Sequence, residues 1–271
     1  MTSLHKPSST RDYVISILIA AGLFIVFFAY LSVRRGYFFD APPTADILYV
    51  PNKALAGVGT LMIAFTFLIG PLTRYCKGFG SALQIRKELG IVGAFIIIAH
   101  GIASYFLVPN KLPRDRFDAA NNEFIWGLIG IGLLVFLFVI SFQKMIKLIG
   151  AAKWWFLQRW GLRLVILATV MHVVPMKWDG WVKWFVEGGK VTPELARPLM
   201  PSAGILVSLF VAWVIVVRLY ESVFLFKNPG LSSKEIASDP NLIAKGRTFF
   251  LASFWIMVVM QIILLTRWTG Q

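Results

Sequence analysis

The residues best suited to redox or ligand chemistry in this 271-residue chain are two of its three histidines. His100 and His172 each lie within a long apolar stretch, whereas His5 lies in the polar N-terminal segment. An ionisable side chain is costly to bury in a segment long enough to cross a membrane, so such residues are functional candidates by default. The chemistry of this chain is therefore expected at His100 and His172.

The two histidines occupy matching positions along their segments. If Arg86 and Gln158 mark the same membrane surface, each histidine lies 14 residues from it, or about 21 Å at a rise of 1.5 Å per residue. Two neighbouring parallel helices would then hold the imidazoles facing one another. A six-coordinate b-type heme requires this arrangement, with two neutral imidazole nitrogens on one axis. Small residues near both histidines would leave room for the flat macrocycle, namely Gly90, Gly93, Ala94, Gly101 and Ala168.

Two alternatives use the same residues differently. The histidines could be unrelated, each hydrogen-bonded to a carbonyl or to a hydroxyl such as that of Thr169. They could also bind a metal directly, but no Asp, Glu or Cys accompanies them at that depth, and two ligands make a poor zinc site. With Cys76 as its one cysteine, the chain cannot supply a four-cysteine zinc or iron–sulfur site.

The elements that position these histidines are predicted to be membrane helices. The chain is 58% hydrophobic and 15% charged, whereas soluble domains are typically about 45–50% apolar and about 25% charged. A transmembrane helix needs about 20 mostly apolar residues. The sequence therefore predicts an all-α integral membrane protein with a bundle of six to seven transmembrane helices, of which the last is the least clear after a polar loop at Asn228–Arg247. The seven stretches are Tyr13–Val33, Ala54–Leu72, Glu88–Leu107, Phe124–Phe142, Leu157–Pro175, Ala203–Tyr220 and Thr248–Thr266.

The lysines and arginines predict the orientation of this bundle. With the N-terminus inside, 16 of the 27 basic residues face the inner side, as the positive-inside rule requires. We therefore expect a multi-pass protein of the inner membrane, with residues 1–12 as a cytoplasmic tail and residues 13–271 as one bundle. The net charge of +14 is then a topology signal in a lipid-embedded protein, and no nucleic-acid partner is expected. The segment Lys177–Phe185, with tryptophans at helical spacing, is predicted to lie flat in the outer interface.

Four cations of the predicted inner side could bind a donor. Arg74, Arg86, Lys87 and Arg159 could hold the phosphate of a flavin such as FMN. Topology determination and contact with lipid headgroups explain the same residues without any donor. A quinol dissolved in the membrane is the other candidate donor.

Short motifs in the middle of the chain resemble the ferric-reductase-like transmembrane domain. The resemblance is greatest to the heme-binding membrane subunits of periplasmic methionine sulfoxide reductase systems, the MsrQ/YedZ type, and it covers roughly residues 45–220, with the stretch 248–266 as an additional C-terminal helix. The motifs are Ile69-Gly70-Pro71-Leu72-Thr73-Arg74, Arg86-Lys87-Glu88-Leu89-Gly90, Ala94-Phe95 before His100, and Leu157-Gln158-Arg159 before His172.

This resemblance implies a cytochrome-b-like electron-transfer subunit of an oxidoreductase. His100 and His172 match the family's ligands for the outer heme iron, and Gln158 stands where the family has an inner histidine. We therefore expect one heme b, with a quinone or FMN as a second cofactor, and electron flow from the quinol pool or a cytoplasmic flavin donor to a periplasmic redox partner. Two alternatives stay open: a heme-free scaffold or transporter-like protein of the same fold, and the membrane component of a ferric reductase with a separate flavin partner.

Overall fold

The computed structural model of the chain describes residues 9–35, 48–109, 112–191, 195–225 and 239–267. The regular elements of these ranges are helices, and seven of them are long and apolar enough to cross a membrane. This confirms the predicted all-α membrane fold. The helices are α1 (Thr10–Arg35), α2 (Tyr49–Tyr75), α3 (Ala82–Phe106), α4 (Asn122–Ile140), α5 (Gln143–Ile149), α6 (Ala151–Glu187), α7 (Ala203–Tyr220) and α8 (Pro240–Thr266).

Two shorter pieces complete the described chain. A 3-10 turn, Arg114–Phe117, lies between α3 and α4. A π-helical turn, Glu221–Leu225, continues α7. The seven-residue α5 is too short to span a bilayer and connects α4 to α6.

Helix α2 lies at the centre of the bundle. More than half of its apolar window is buried, whereas less than a third is buried in each of the other six spans. It packs against α1, α3, α7 and α8. A helix surrounded by others can place polar side chains in the interior, and α2 does so with Asn52, which is buried.

The packing divides into two tightly associated groups. Helix α3 approaches α2 closely, since a Cβ added at Gly93 would lie 3.0 Å from Cβ of Met62. Helix α4 pairs with α6, where a Cβ added at Gly161 would lie 2.5 Å from Leu137. Helices α3 and α4 connect the two groups, while α3 and α6 are not among the helix pairs that pack against one another in the described chain.

The bundle has two ends, which we call the N-terminal end and the far end. Helix α1 begins at the N-terminal end, where Tyr75 and Glu221 meet. At the far end, the hydroxyl of Tyr30 donates to the carbonyl oxygen of Pro201 over 2.6 Å. Nε of Arg34 donates to the carbonyl oxygen of Met200 over 2.9 Å.

Several predicted boundaries differ from the structure. The loop predicted over Asn228–Arg247 is wrong from Pro240 onward, and its residues 228–238 lie outside the described part. Helix α8 begins early because Asp239 caps it, accepting from the amides of Asn241 at 2.9 Å and Leu242 at 3.4 Å, and because Pro240 occupies the first turn, where its missing N–H is not needed.

The segment Lys177–Phe185, predicted to lie flat in the outer interface after a span ending at Pro175, is continuous with that span. The segment forms the last turns of α6, which continues through Pro175. Two indole N–H groups fix these turns, Trp181 donating to Oγ of Ser202 and Trp184 to the carbonyl oxygen of Pro198. At the other terminus, α1 begins at Thr10, inside the predicted tail 1–12, of which residues 1–8 lie outside the described chain.

The single cysteine tests the predicted orientation. Cys76 follows α2 directly at the N-terminal end, so an impermeant maleimide should label it only after the cells are permeabilised. Burial raises the pKa of its thiol, and Arg247 partly opposes that rise, so labelling should accelerate as the pH increases because the thiolate is the nucleophile.

The matched control moves the cysteine to the far end. Asp118→Cys in a Cys76→Ser background places an exposed thiol between α3 and α4, and it should be labelled in intact cells. Labelling of Cys76 in intact cells would contradict the predicted orientation.

Candidate functional site

His100 is held by a polar group on the central helix. Its Nδ1 lies 2.8 Å from Oδ1 of Asn52 and 3.1 Å from the backbone oxygen of the same residue. Asn52 in turn donates through Nδ2 to Oγ of Ser104 over 2.9 Å. Because both nearest atoms are acceptors, Nδ1 carries the proton and Nε2 keeps its lone pair.

His172 is held in the same way by a backbone group. Its Nδ1 lies 2.7 Å from the carbonyl oxygen of Glu123 in the first turn of α4. Gly127, one turn further along α4, leaves space for the ring, since a Cβ there would lie 3.1 Å from Nδ1 of His172. The tautomer of His172 therefore matches that of His100, with Nε2 as the unprotonated nitrogen.

The structure brings the two imidazoles together. They are close enough for His172 to interact electrostatically with His100, although α3 and α6 do not pack tightly against each other. Within the described chain, neither Nε2 has a hydrogen-bond partner, and both side chains are only partly buried. The site therefore consists of two oriented imidazoles with available Nε2 atoms on helices that leave space between them.

A metal ion bound by protein ligands alone does not fit this site. The described residues contain no group of three or more His, Cys, Asp or Glu side chains that could hold a metal ion. Glu123 and Lys177 do interact electrostatically with His172. Two imidazoles are the usual protein ligands of a six-coordinate heme iron, since the macrocycle supplies the other four nitrogens.

Gln158, the residue in place of a second histidine, makes hydrogen bonds to the end of α4 and to the residue after it. Its Nε2 donates to Oγ of Ser141 over 3.0 Å and to the carbonyl oxygen of Leu137 over 3.3 Å. These bonds fasten the start of α6 to the end of α4. Gln158 precedes His172 by 14 residues, or about 21 Å along the helix, so the structure does not bring it to the histidine pair.

The four predicted donor-face cations lie at the N-terminal end, and the structure joins three of them to a larger cluster. Arg74 forms an ion pair with the buried Glu221. Nε of Arg86 donates to the carbonyl oxygen of Thr66 over 2.9 Å, and its guanidinium interacts electrostatically with Arg159. Lys87 is half-buried on α3 and makes no hydrogen bond or ion pair with the described residues.

Two further arginines complete what we call the arginine cluster. Arg218 pairs with Glu221 at 2.7 Å and interacts electrostatically with Arg74 and Arg163. The cluster consists of Arg74, Arg86, Arg159, Arg163 and Arg218 around Glu221. Arg74 and Arg218 pair with the buried carboxylate of Glu221, and the other three arginines interact electrostatically with arginines of the cluster, so the cluster carries excess positive charge.

Sequence reasoning missed the groups that orient the histidines. Asn52 lies just before the predicted start of the second span at Ala54, whereas α2 begins at Tyr49 and makes Asn52 an interior residue. The signal was a polar residue directly after Pro51, because proline is well tolerated in the first turn of a helix and so indicates an earlier start. Glu123 acts through its backbone oxygen, which no residue pattern reveals. Arg163, Arg218 and Glu221 were counted only as charges.

Comparison with known proteins connects this site to a family. Residues 55–169 match the ferric reductase like transmembrane component family. The matched region contains His100, and it ends in α6 just before His172. A ferric reductase-like transmembrane region implies a membrane component of electron transfer.

Two curated relatives resemble a larger part of the chain. Metalloreductase STEAP2 of Mus musculus is 24% identical over 209 residues, which cover 63% of this chain and 42% of the relative. Metalloreductase STEAP3 of Rattus norvegicus is 22% identical over 215 residues, with the same shares of 63% and 42%. The alignment thus spans less than half the length of these relatives. The family match includes α3 with His100 and begins three residues after its partner Asn52.

Proposed function

We propose that this protein is a membrane b-type cytochrome that holds one heme between His100 and His172. The observation that carries the proposal is the shared hydrogen-bonding state of the two imidazoles. Each Nδ1 donates to a protein oxygen, and each Nε2 is left without a partner in the described chain. A ligating histidine usually donates its second ring N–H to such an acceptor, which fixes the ring orientation and raises the basicity of the ligand nitrogen.

The residues around the pair fit a flat apolar group. Helices α3 and α6 stay apart while α4 approaches both of them through glycines, since a Cβ at Gly101 would meet Ile131 and a Cβ at Gly130 would meet Ala168. Small residues at helix contacts allow close approach of a neighbouring helix or ring. When bound, the heme supplies a reversible one-electron carrier in the membrane interior.

The chain's own residues would then set the position and the chemistry of the site. Asn52 and the Glu123 carbonyl accept hydrogen bonds from the Nδ1–H groups. They thereby favour the tautomer with an unprotonated Nε2 in both imidazoles and hold the rings in place. Gln158 stands where the family has a further histidine, and it hydrogen-bonds to Leu137 and Ser141 instead. Because the chain has three histidines in all, it offers no second pair of imidazoles, and a single heme is proposed. The surrounding lipid and apolar side chains keep water from the site.

The two ends of the bundle serve the donor and the acceptor in this proposal. A quinol from the membrane or a flavin bound at the arginine cluster would supply electrons, because five guanidinium groups suit a phosphate-bearing cofactor. A periplasmic redox partner at the far end would receive them, as in the MsrQ-type subunits that the motifs resemble. The protein would accordingly lie in the inner membrane with its N-terminus in the cytoplasm.

A second candidate acceptor is a metal ion. The two curated relatives are named metalloreductases, and the same heme site could deliver an electron to a ferric or cupric ion at the far end. In this candidate a separate flavin partner would supply the electron, and His100 and His172 are used in the same way.

Heme ligation is tested with three variants of purified protein. His100→Ala and His172→Ala should each abolish the b-type Soret band and the reduced α-band, because one imidazole cannot complete the axial pair. Gln158→Ala should retain both bands. Wild-type protein without these bands, or a histidine variant that keeps six-coordinate heme, would contradict the proposal and favour a heme-free scaffold.

The orientation of His172 is tested by a pair of glycine substitutions on α4. Gly127→Ala places a Cβ 3.1 Å from Nδ1 of His172, so the ring must shift away from the Glu123 carbonyl. We expect heme affinity to fall by about tenfold or more, as for other lost supporting hydrogen bonds of metal-bound histidines.

Gly132→Ala is the matched control, because nothing lies within 4 Å of a Cβ at that position. It should leave heme affinity unchanged. Equal affinities of the two variants, measured by heme titration of the apoprotein, would show that the contact at Gly127 does not support the site.

A further inference from the structure

Four cationic side chains gather at the far end of the bundle, beside the histidines. Nζ of Lys53 lies 4.4 Å from the centroid of the Tyr49 ring, and the guanidinium carbon of Arg35 lies 4.6 Å from the same centroid. Lys53 also interacts electrostatically with Arg35, Lys177 and Arg34. We call Arg34, Arg35, Lys53 and Lys177 the far-end cation cluster.

This cluster is connected to both histidines. Lys53 directly follows Asn52, whose oxygens accept from His100. Lys177 follows His172 by five residues, or about 7.5 Å towards the far end, and interacts with it electrostatically. Lys177 therefore lies on the far-end side of His172, and the ammonium group of Lys53 lies over the ring of Tyr49, the first residue of α2 at that same end.

Among the described residues, no carboxylate compensates the charges of the cluster. In the described chain, no carboxylate pairs with Arg35, Lys53 or Lys177, and the two ion pairs of that part involve Arg74 and Arg218. Nε of Arg35 is buried and has no hydrogen-bond partner within the described ranges. Arg34 uses its Nε on the carbonyl oxygen of Met200. Arg34, Arg35 and Lys53 are partly buried and Lys177 is exposed. Grouped, partly buried cations are costly unless an anion compensates them.

We propose that the far-end cation cluster binds the two propionate carboxylates of the heme held by His100 and His172. This inference rests on the proposed function. Heme is apolar on both faces and carries its two carboxylates on one edge, so a bis-imidazole site needs apolar walls and cations along one border. Ammonium and guanidinium groups form the strong charge-assisted hydrogen bonds that carboxylates accept. The propionate edge would then face the far end, where Lys53 and Lys177 interact electrostatically with one another.

The same cations would suit a free carboxylate-bearing anion, such as a metal chelate that accepts the electron. The two sources differ in one respect. Propionates are part of the heme, so their loss weakens heme binding, whereas a free anion binds independently of the heme's side groups.

The experiment compares heme b with its dimethyl ester, in which both propionates are uncharged. Each is titrated into apoprotein and followed by the Soret band. Wild-type protein should bind the ester about tenfold or more weakly, the loss expected for one or more hydrogen bonds to charged groups. In the double variant Lys53→Met and Lys177→Met, the affinity for heme b should fall and the affinity for the ester should not. The difference between the two affinities should therefore nearly disappear.

Two control variants separate charge from folding. Lys183→Met removes an exposed cation of the same helix as Lys177. It should keep the full difference in affinity between heme b and its dimethyl ester. Lys53→Arg should keep it as well, because the positive charge remains.

Failure of propionate binding and failure of axial heme ligation give different outcomes. If wild-type protein binds heme b and the ester equally, or if the double variant keeps the difference, propionate binding is overturned while axial ligation stands. Citrate binding by wild-type protein that the double variant loses, with no preference for heme b over its ester, would assign the cluster to a free anion and overturn the inference. A wild-type protein that binds neither porphyrin overturns the proposed function itself.

Discussion

Two imidazoles placed within a membrane must each satisfy one ring N–H without water, and the architecture of this bundle follows from that constraint. An unsatisfied polar group in the hydrocarbon region costs several kcal/mol. His100 meets the requirement with Asn52 of α2, and His172 meets it with the backbone of α4. Each histidine therefore depends on a partner helix, and those partners are the helices packed most closely against α3 and α6.

This dependence explains the division of the fold into two groups. Glycines draw α3 onto α2 and α4 onto α6, so each histidine and its acceptor belong to one tightly packed pair. The pairs meet mainly through α3 and α4, which leaves the imidazoles near one another on helices that do not pack together. Positive side chains outnumber negative ones in the clusters described at the two ends of the bundle. The arginine cluster, in which Arg74 and Arg218 pair with Glu221, lies at one end, and the far-end cation cluster lies at the other, so each end would suit a different anion.

The sequence was sufficient for the spans and for the histidines, because both leave strong local patterns. Apolar runs of membrane length predicted six to seven spans, of which the last was the least clear, and the count from Arg86 and Gln158 predicted that His100 and His172 would come together. Helix ends were less predictable: Asp239 and Pro240 start α8 inside an apparently polar loop, and α6 continues through Pro175. The groups that orient the two imidazoles could not be predicted, for a physical reason in each case. The carbonyl of Glu123 is a backbone group and has no residue signature. Asn52 accepts from His100 only because α2 packs on α3.

The number of hemes per polypeptide tests the central claim most directly. It can be measured on purified protein by the pyridine hemochrome absorbance against the protein concentration. With His100 and His172 as the one suitable pair and Gln158 committed to Ser141 and Leu137, the account predicts one heme b per chain. A ratio near zero would contradict the role assigned to the histidine pair, and a ratio near two would require ligands that the account does not assign.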